Sequence, residues 1–298
     1  MVIYVQHLLL TILIIFVKEV SMKPSNIYLK FTLLAAACIG LSGYAYADFV
    51  NGGFEEGTMN GWTLQSGKWN TGGQTITNNL QYLSTVITDP AATDYYTNNN
   101  LKEVLQGNDS FRLNDHTNDY HFSVLSQTVT GYSSPNMYLG FAAVLENPLS
   151  GHTEAECPKF NFDLLDVTTG QTLYNIQFDS RNASSQGVTW NAGYHDAGNN
   201  STWMYSDWNI IHVDTSALEG DTFKITVSAY DCALGGHGGY AYVDSFQPDA
   251  PVPNPGVPTH LIQANTLTPV PEPGQIAASL LIALGAGGFM IRKARRNK

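Results

Sequence analysis

Four residues separate His152 from Cys157, and Cys232 and His237 repeat that interval in reverse. Two imidazoles and two thiols in the mirrored pattern His-x4-Cys and Cys-x4-His are the donor set of a tetrahedral zinc site. The same residues support a plainer reading. Gly235, Gly236, Gly238 and Gly239 flank His237 and let the backbone turn tightly, with the imidazole bonded inside the turn. Cys157 and Cys232 then pair as a disulfide, closing a long loop with a gain of ~3–4 kcal/mol in the chain-entropy account. A third reading makes His237 a base oriented by Asp231 or Asp244. No Gly-x-Ser-x-Gly segment precedes it to supply an activated serine. The disulfide is the leading expectation, with the metal and the base kept as alternatives.

A second set of residues is suited to sugars. Trp190, Tyr194, Trp203, Tyr205 and Trp208 fall in an Asn- and Gly-rich stretch that also holds Asn191, Asn199 and Asn200. Aromatic faces stack on the apolar faces of sugar rings, and amides serve the hydroxyls. Trp190, Tyr194 and Trp203 are the expected exposed set, whereas Trp208 opens a strand and belongs to the core. Any of the three can equally serve packing. A glycosidase needs two carboxylates at a set separation, which spacing in sequence does not fix. No catalytic residue is assigned, and a non-enzymatic protein is expected.

The elements that position these residues read as strands. Charged residues are only 13% of the chain, while Asn, Thr, Ser, Gly and Tyr abound, which favours strands and turns over helices. Phe160, Phe162 and Leu164 alternate with polar residues, as do Tyr174, Ile176 and Phe178, and Phe223, Ile225, Val227 and Ala229. Val124–Val129, Trp208–Val213 and Tyr240–Phe246 are further candidates. Tyr138–Leu145 is mostly apolar, as a central strand would be. Residues 70–121 read as short strands and long loops. The expected fold is all-β: a jelly-roll or β-sandwich domain over 48–249, with no βαβ pattern. Prolines 251, 253, 255, 258 and 269 mark 250–270 as an extended linker.

The ends carry targeting signals. Lys23, Lys30, the apolar run 31–41 and Ala45-Tyr46-Ala47 read as a secretory signal within 1–47, cut between Ala47 and Asp48, with Met22 the expected true start. Cleavage there removes Cys38 and leaves two cysteines for an oxidising compartment. At the other end, Pro271-Glu272-Pro273 precedes an apolar helix over 276–291 and a tail with five basic residues in its last seven. Sixteen residues make ~24 Å of helix, short of the ~20 residues of a comfortable transmembrane span. This box, helix and basic cluster over 271–298 resemble the PEP-CTERM sorting signal of Gram-negative bacteria. That resemblance implies an inner-membrane-anchored precursor, exosortase and the secretion machinery as partners, and delivery to the cell surface or extracellular matrix.

The segment between the signals holds 23 of the 25 acidic residues and six of the 14 basic ones, a formal charge of −17. Such a surface repels nucleic acid and suits divalent cations. Its opening, Asn51-Gly52-Gly53-Phe54-Glu55 with Gly61-Trp62, is similar to the first strand of jelly-roll carbohydrate-binding modules. Asp231–Asp244, with Val144–Pro148 upstream, looks like a jelly-roll surface domain of exported bacterial proteins. The first resemblance implies a structural Ca2+ joining first and last strands, with Glu55 and Asp244 as its ligands; a solvated turn residue and a strand-end cap are the plainer alternatives. Together they imply association with extracellular polysaccharide, in a biofilm or surface matrix. A secreted carbohydrate-active enzyme and a purely structural matrix protein are the rival readings.

Overall fold

The computed structural model describes residues 48–179, 181 and 187–264. The signal region up to Ala47, the box Pro271–Pro273, the apolar segment 276–291 and the basic tail lie outside the described residues. Among the described residues no helix is long and apolar enough to cross a membrane.

Among the described residues, fourteen strands form two sheets. The first sheet takes β1 (Thr63–Asn70), β2 (Gly73–Ile76), β5 (His121–Thr130), β7 (Lys159–Asp166), β8 (Gln171–Asp179) and β12 (Thr222–Tyr230), in the order β2-β1-β5-β12-β7-β8. The second runs β14-β11-β6-β13-β4-β3: β14 (Thr259–Gln263), β11 (Trp208–Asp214), β6 (Asn136–Pro148), β13 (Gly239–Gln247), β4 (Ser110–Leu113) and β3 (Thr85–Ile87). β10 (Ser201–Ser206) continues beside the far half of β6 and carries β9 (Trp190–Asp196) as its outer neighbour. Every strand pairing is antiparallel except β11 with β14. The jelly-roll-like sandwich expected from the alternating pattern is therefore present.

β6 shows why its sequence is so apolar. Phe141, Ala143 and Leu145 point into the core between the sheets, among Phe160, Phe162, Phe178, Ile225 and Val227. Ala142 and Val144 point the other way, into a second cluster with Trp203, Tyr205, Trp208, Tyr240 and Tyr242. Leu101 and Leu105 cover that outer cluster, so a long segment between β3 and β4 lies over the face of the sheet. A strand buried on both faces loses the polar–apolar alternation of a half-exposed one.

The linker is corrected in part. Thr259–Gln263, inside the stretch expected to be free, pairs with β11 over Trp208–His212. Ile262 and Ala264 join the main core, and the Asn254 amide donates to the Leu105 carbonyl at 2.7 Å. The prolines stop before this strand, so its amides are free to form the ladder.

Candidate functional site

Two of the exposed aromatics, Tyr95 and Tyr194, meet where the β9–β10 hairpin touches the covering segment. A 3-10 turn, Tyr95–Thr97, begins at Asp94. One Asp94 oxygen accepts the Thr97 amide at 3.0 Å and so caps the turn. The other accepts the phenols of Tyr240 at 2.6 Å and Tyr242 at 2.7 Å. Burial holds both phenols protonated, well above their ordinary range, so they remain donors. Asn98 and Asn99, at φ 58° and 61°, end the turn in the left-handed region that asparagine tolerates.

Gly193 in β9 lets the hairpin press on this turn. A Cβ there would stand 2.2 Å from the Tyr96 carbonyl oxygen, closer than any side chain can approach. The docking sets Tyr194 beside the turn, its ring centroid 5.9 Å from those of both Tyr95 and Tyr96. Tyr95 is 64% exposed and Tyr194 37%. Beneath them Tyr96 lies 4.6 Å from Trp203 and stacks on His116 at 5.0 Å. The exposed amides of Asn98 and Asn99 border the rings. The result is an aromatic patch with a rigid underside and polar rim groups.

The expected trio separates. Tyr194 is exposed, as required. Trp203 is not: it is 2% exposed, packed in the outer cluster, because β10 turns Trp203 and Tyr205 inward on alternate positions. Trp190 is partly buried against the main core. Tyr95 takes the place these two were expected to fill. Its signal was faint: a Tyr-Tyr pair between a capping Asp and an Asn-Asn turn end.

The Glu146 carboxylate near the patch faces inward. Glu146 is 2% exposed; it pairs with the Ser201 hydroxyl and accepts the Gly238 amide at 2.9 Å. Burial pushes its carboxyl above the usual range.

The expected calcium ligands lie near each other. Gly53 has the Asp244 Oδ1 and the Glu55 Cγ near its α-carbon, 3.6 and 3.5 Å from where a Cβ would sit. Asp244 Oδ2 accepts the amides of Leu105 and Gln106 at 3.2 and 3.1 Å, and Glu55 accepts those of Asn108 and Asp109. Asp244 is fully buried, and burial first, with the Glu55 charge adding, raises its carboxyl well above the usual range. Asp244 is buried and Glu55 is exposed, and both present the carboxylate oxygens that Ca2+ takes as ligands.

The disulfide is corrected. Cys157 and Cys232 are both free and buried. The Cys157 thiol donates to the Thr153 carbonyl at 3.4 Å, while the Cys232 sulfur accepts the Gly236 and His237 amides. Each sulfur is directed at its own local partner.

No known family matches this sequence, and no curated protein matches it either. Solved structures resemble this chain at low similarity. A carbohydrate-binding module in complex with beta-1,4-galactotriose is 15% identical, covering 67% of this chain and 96% of that one, at a TM-score of 0.37. A carbohydrate-binding module specific for non-crystalline cellulose is 13% identical, covering 67% and 94%, at 0.31. An exo-beta-agarase is 12% identical, covering 72% of this chain and 25% of that one, at 0.27. At such scores the likeness assigns no residue and no ligand.

Proposed function

We propose that this chain is an exported, non-enzymatic surface or matrix protein whose sandwich binds polysaccharide across Tyr95 and Tyr194. The observation that carries this reading is the exposed pair itself. Two large rings stand 5.9 Å apart at a 37° tilt, held from below by Tyr96 and Trp203 and from the side by Asp94. Exposed aromatics on so fixed a base lose little entropy when a ring ligand stacks on them. Asp94 and Glu146 are buried at 3% and 2% exposure and bonded inward, so neither offers a carboxylate to a glycosidic bond. A glycan array with the full chain, followed by titration and a hydrolysis assay, tests the proposal. Tyr95→Ala and Tyr194→Ala should each weaken binding about tenfold, or roughly 1.4 kcal/mol. Tyr82→Ala, at a residue 74% exposed on another part of the surface, should not. Unchanged affinity in the double variant removes the patch from the reading, and turnover of a bound glycan removes the non-enzymatic part.

The rest of the reading rests on sequence. The signal ending at Ala47 and the tail with Pro271-Glu272-Pro273 support export and exosortase sorting in a Gram-negative bacterium. A calcium ion held by Glu55 and Asp244 would neutralise two neighbouring anions and tie the opening loop to β13. It would supply rigidity, and the chain's backbone amides would keep the carboxylates oriented.

A further inference from the structure

Three of the four residues with mirrored spacing converge at one end of the sandwich. The Nδ1 or Nε2 atoms of His152 and His237 and the Cys232 sulfur lie within 4.8 Å of one another. The two imidazole rings meet edge to face at 4.7 Å. Each donor is prepared in a different way.

His152 presents a lone pair to nothing. Its Nδ1 lies 3.3 Å from the Ser150 carbonyl, and a carbonyl only accepts, so Nδ1 carries the proton. Nε2 is then the acceptor, and it is buried with no hydrogen-bond partner among the described residues. Metal-bound histidines have this arrangement, one nitrogen donating to a carbonyl and the other free for the ion. Arg181 fixes the loop by donating to the His152 carbonyl at 2.6 Å and to that of Pro148.

Cys232 sits in a cradle of amides. Gly236 N and His237 N donate to its sulfur at 3.2 and 3.3 Å. Metal binds cysteine as the thiolate; burial, the larger effect, opposes that form here, and the amide donors work against the burial. The loop is closed by Cys232 N donating to the His237 carbonyl at 2.8 Å and by Gly235 N donating to the Cys232 carbonyl at 3.0 Å. Gly235 makes the turn at φ 78°, a left-handed conformation costly for other residues. The Sγ to His237 Nδ1 distance is 3.6 Å. Zinc bonds of about 2.3 Å to sulfur and about 2.05 Å to nitrogen at a tetrahedral angle place those two atoms about 3.6 Å apart. The observed edge therefore already has the length that a shared zinc would impose.

We propose that His152, Cys232 and His237 bind a zinc ion, with the fourth position left open. Cys157 stays outside the set, its sulfur turned to Thr153. Zinc suits a mixed thiolate and imidazole shell, whereas calcium and magnesium require oxygen. The ion joins the loop after β6 to the β12–β13 loop. The next residue, Gly238, donates to Glu146 and would clash with Trp203 if it carried a Cβ, 2.8 Å from the indole. The site therefore buttresses the underside of the aromatic patch without forming part of it.

The test is cobalt(II) substitution in the purified, reduced full chain. One cobalt per chain should give a thiolate charge-transfer band and intense tetrahedral visible bands, both displaced by zinc. Cys232→Ser should abolish the charge-transfer band, and His152→Gln should weaken metal affinity at least tenfold with the circular dichroism spectrum unchanged. His152 lies on a partly exposed loop, so its variant keeps the test open if Cys232→Ser fails to fold. Cys157→Ser should retain the bands. Absence of thiolate bands overturns the site. So does their loss in Cys157→Ser with persistence in Cys232→Ser, or a Cys157–Cys232 disulfide in protein isolated with zinc. Loss of glycan binding alone leaves the metal result standing, because the two readouts are separate.

Discussion

Asp94 accepts three donors from two directions, and this makes the aromatic patch an extension of β13 rather than a loose loop. Hydrogen bonds to a charged acceptor contribute about 1.5–3 kcal/mol, so Tyr240→Phe and Tyr242→Phe should each lower stability to urea by an amount in that range. A change below a few tenths would show that Asp94 is held by its cap alone. Gly193→Ala acts from the other side. Its new methyl meets backbone, the Tyr96 carbonyl at 2.2 Å, so the hairpin must move away at a cost of about 1–3 kcal/mol. The measurable result is a lower melting temperature together with weaker glycan binding than at a matched surface substitution. Glu146 gives a pH prediction with a definite sign. Burial raises its folded pKa above the ordinary value of 4.5. Its favourable contribution is therefore complete below that value and is lost as pH rises through the folded pKa. Against Glu146→Gln, the native chain should lose stability as pH climbs from about 4.5 toward neutral, read as diverging urea midpoints. Parallel midpoints would mean the carboxylate stays charged without penalty. At this scale the sequence told the residue types but not their faces. Trp203 and Tyr194 are both aromatics on one hairpin, yet only a bulge between Thr202 and Met204 and the covering segment decide which one meets solvent.

The strands were far more legible than the segments that cover them. Alternation along β7, β8 and β12 reports a half-buried face directly, and the unbroken apolar run of β6 reports burial on both. β9 and β10 were hidden because their inward aromatics are diluted by Asn, Gly and Asp. β14 was hidden because the prolines before it announce an extended linker, and nothing local shows that the ladder resumes at Thr259. The consequence is testable at the level of the element. Ile262 is 9% exposed within the main core, so Ile262→Ala should cost about 2 kcal/mol, the low end for a buried isoleucine near a sheet edge. Ending the domain at Asp249 should cost more, since it also uncovers the β11 ladder. Equal urea midpoints for chains ending at 249 and 264 would return the segment to a linker. The corner of Glu55 and Asp244 belongs to the same scale, because it joins the opening loop to β13 and to the amides of residues 105–109. A calcium chelator should lower the melting temperature of the full chain, and Asp244→Asn should remove most of that dependence. A melt indifferent to chelator leaves the two carboxylates as anchors for backbone amides alone.

For the whole molecule, charge and targeting argue together. A domain carrying −17 between its signals is repelled by anionic lipid headgroups, so its own surface does not favour a stay at the membrane. In the proposed sorting route, retention of the precursor would fall to the apolar segment 276–291. As a helix these 16 residues would span ~24 Å against a ~30 Å hydrocarbon core, a mismatch that thinning of the bilayer or the basic tail reaching for the headgroups would meet. In that proposal the five positive residues near the end would favour an orientation with the tail inside. The sorting proposal would put the box Pro271-Glu272-Pro273 within reach of a membrane-bound protease. An anchor held this marginally is suited to a step in transit. Intact-mass analysis of the protein recovered from cells and medium should find a chain that starts at Asp48 and ends close to Pro273. Recovery only from membranes, with the basic tail still attached, would make the segment a permanent anchor and overturn the sorting proposal, while leaving the aromatic patch and its glycan to be judged on binding alone.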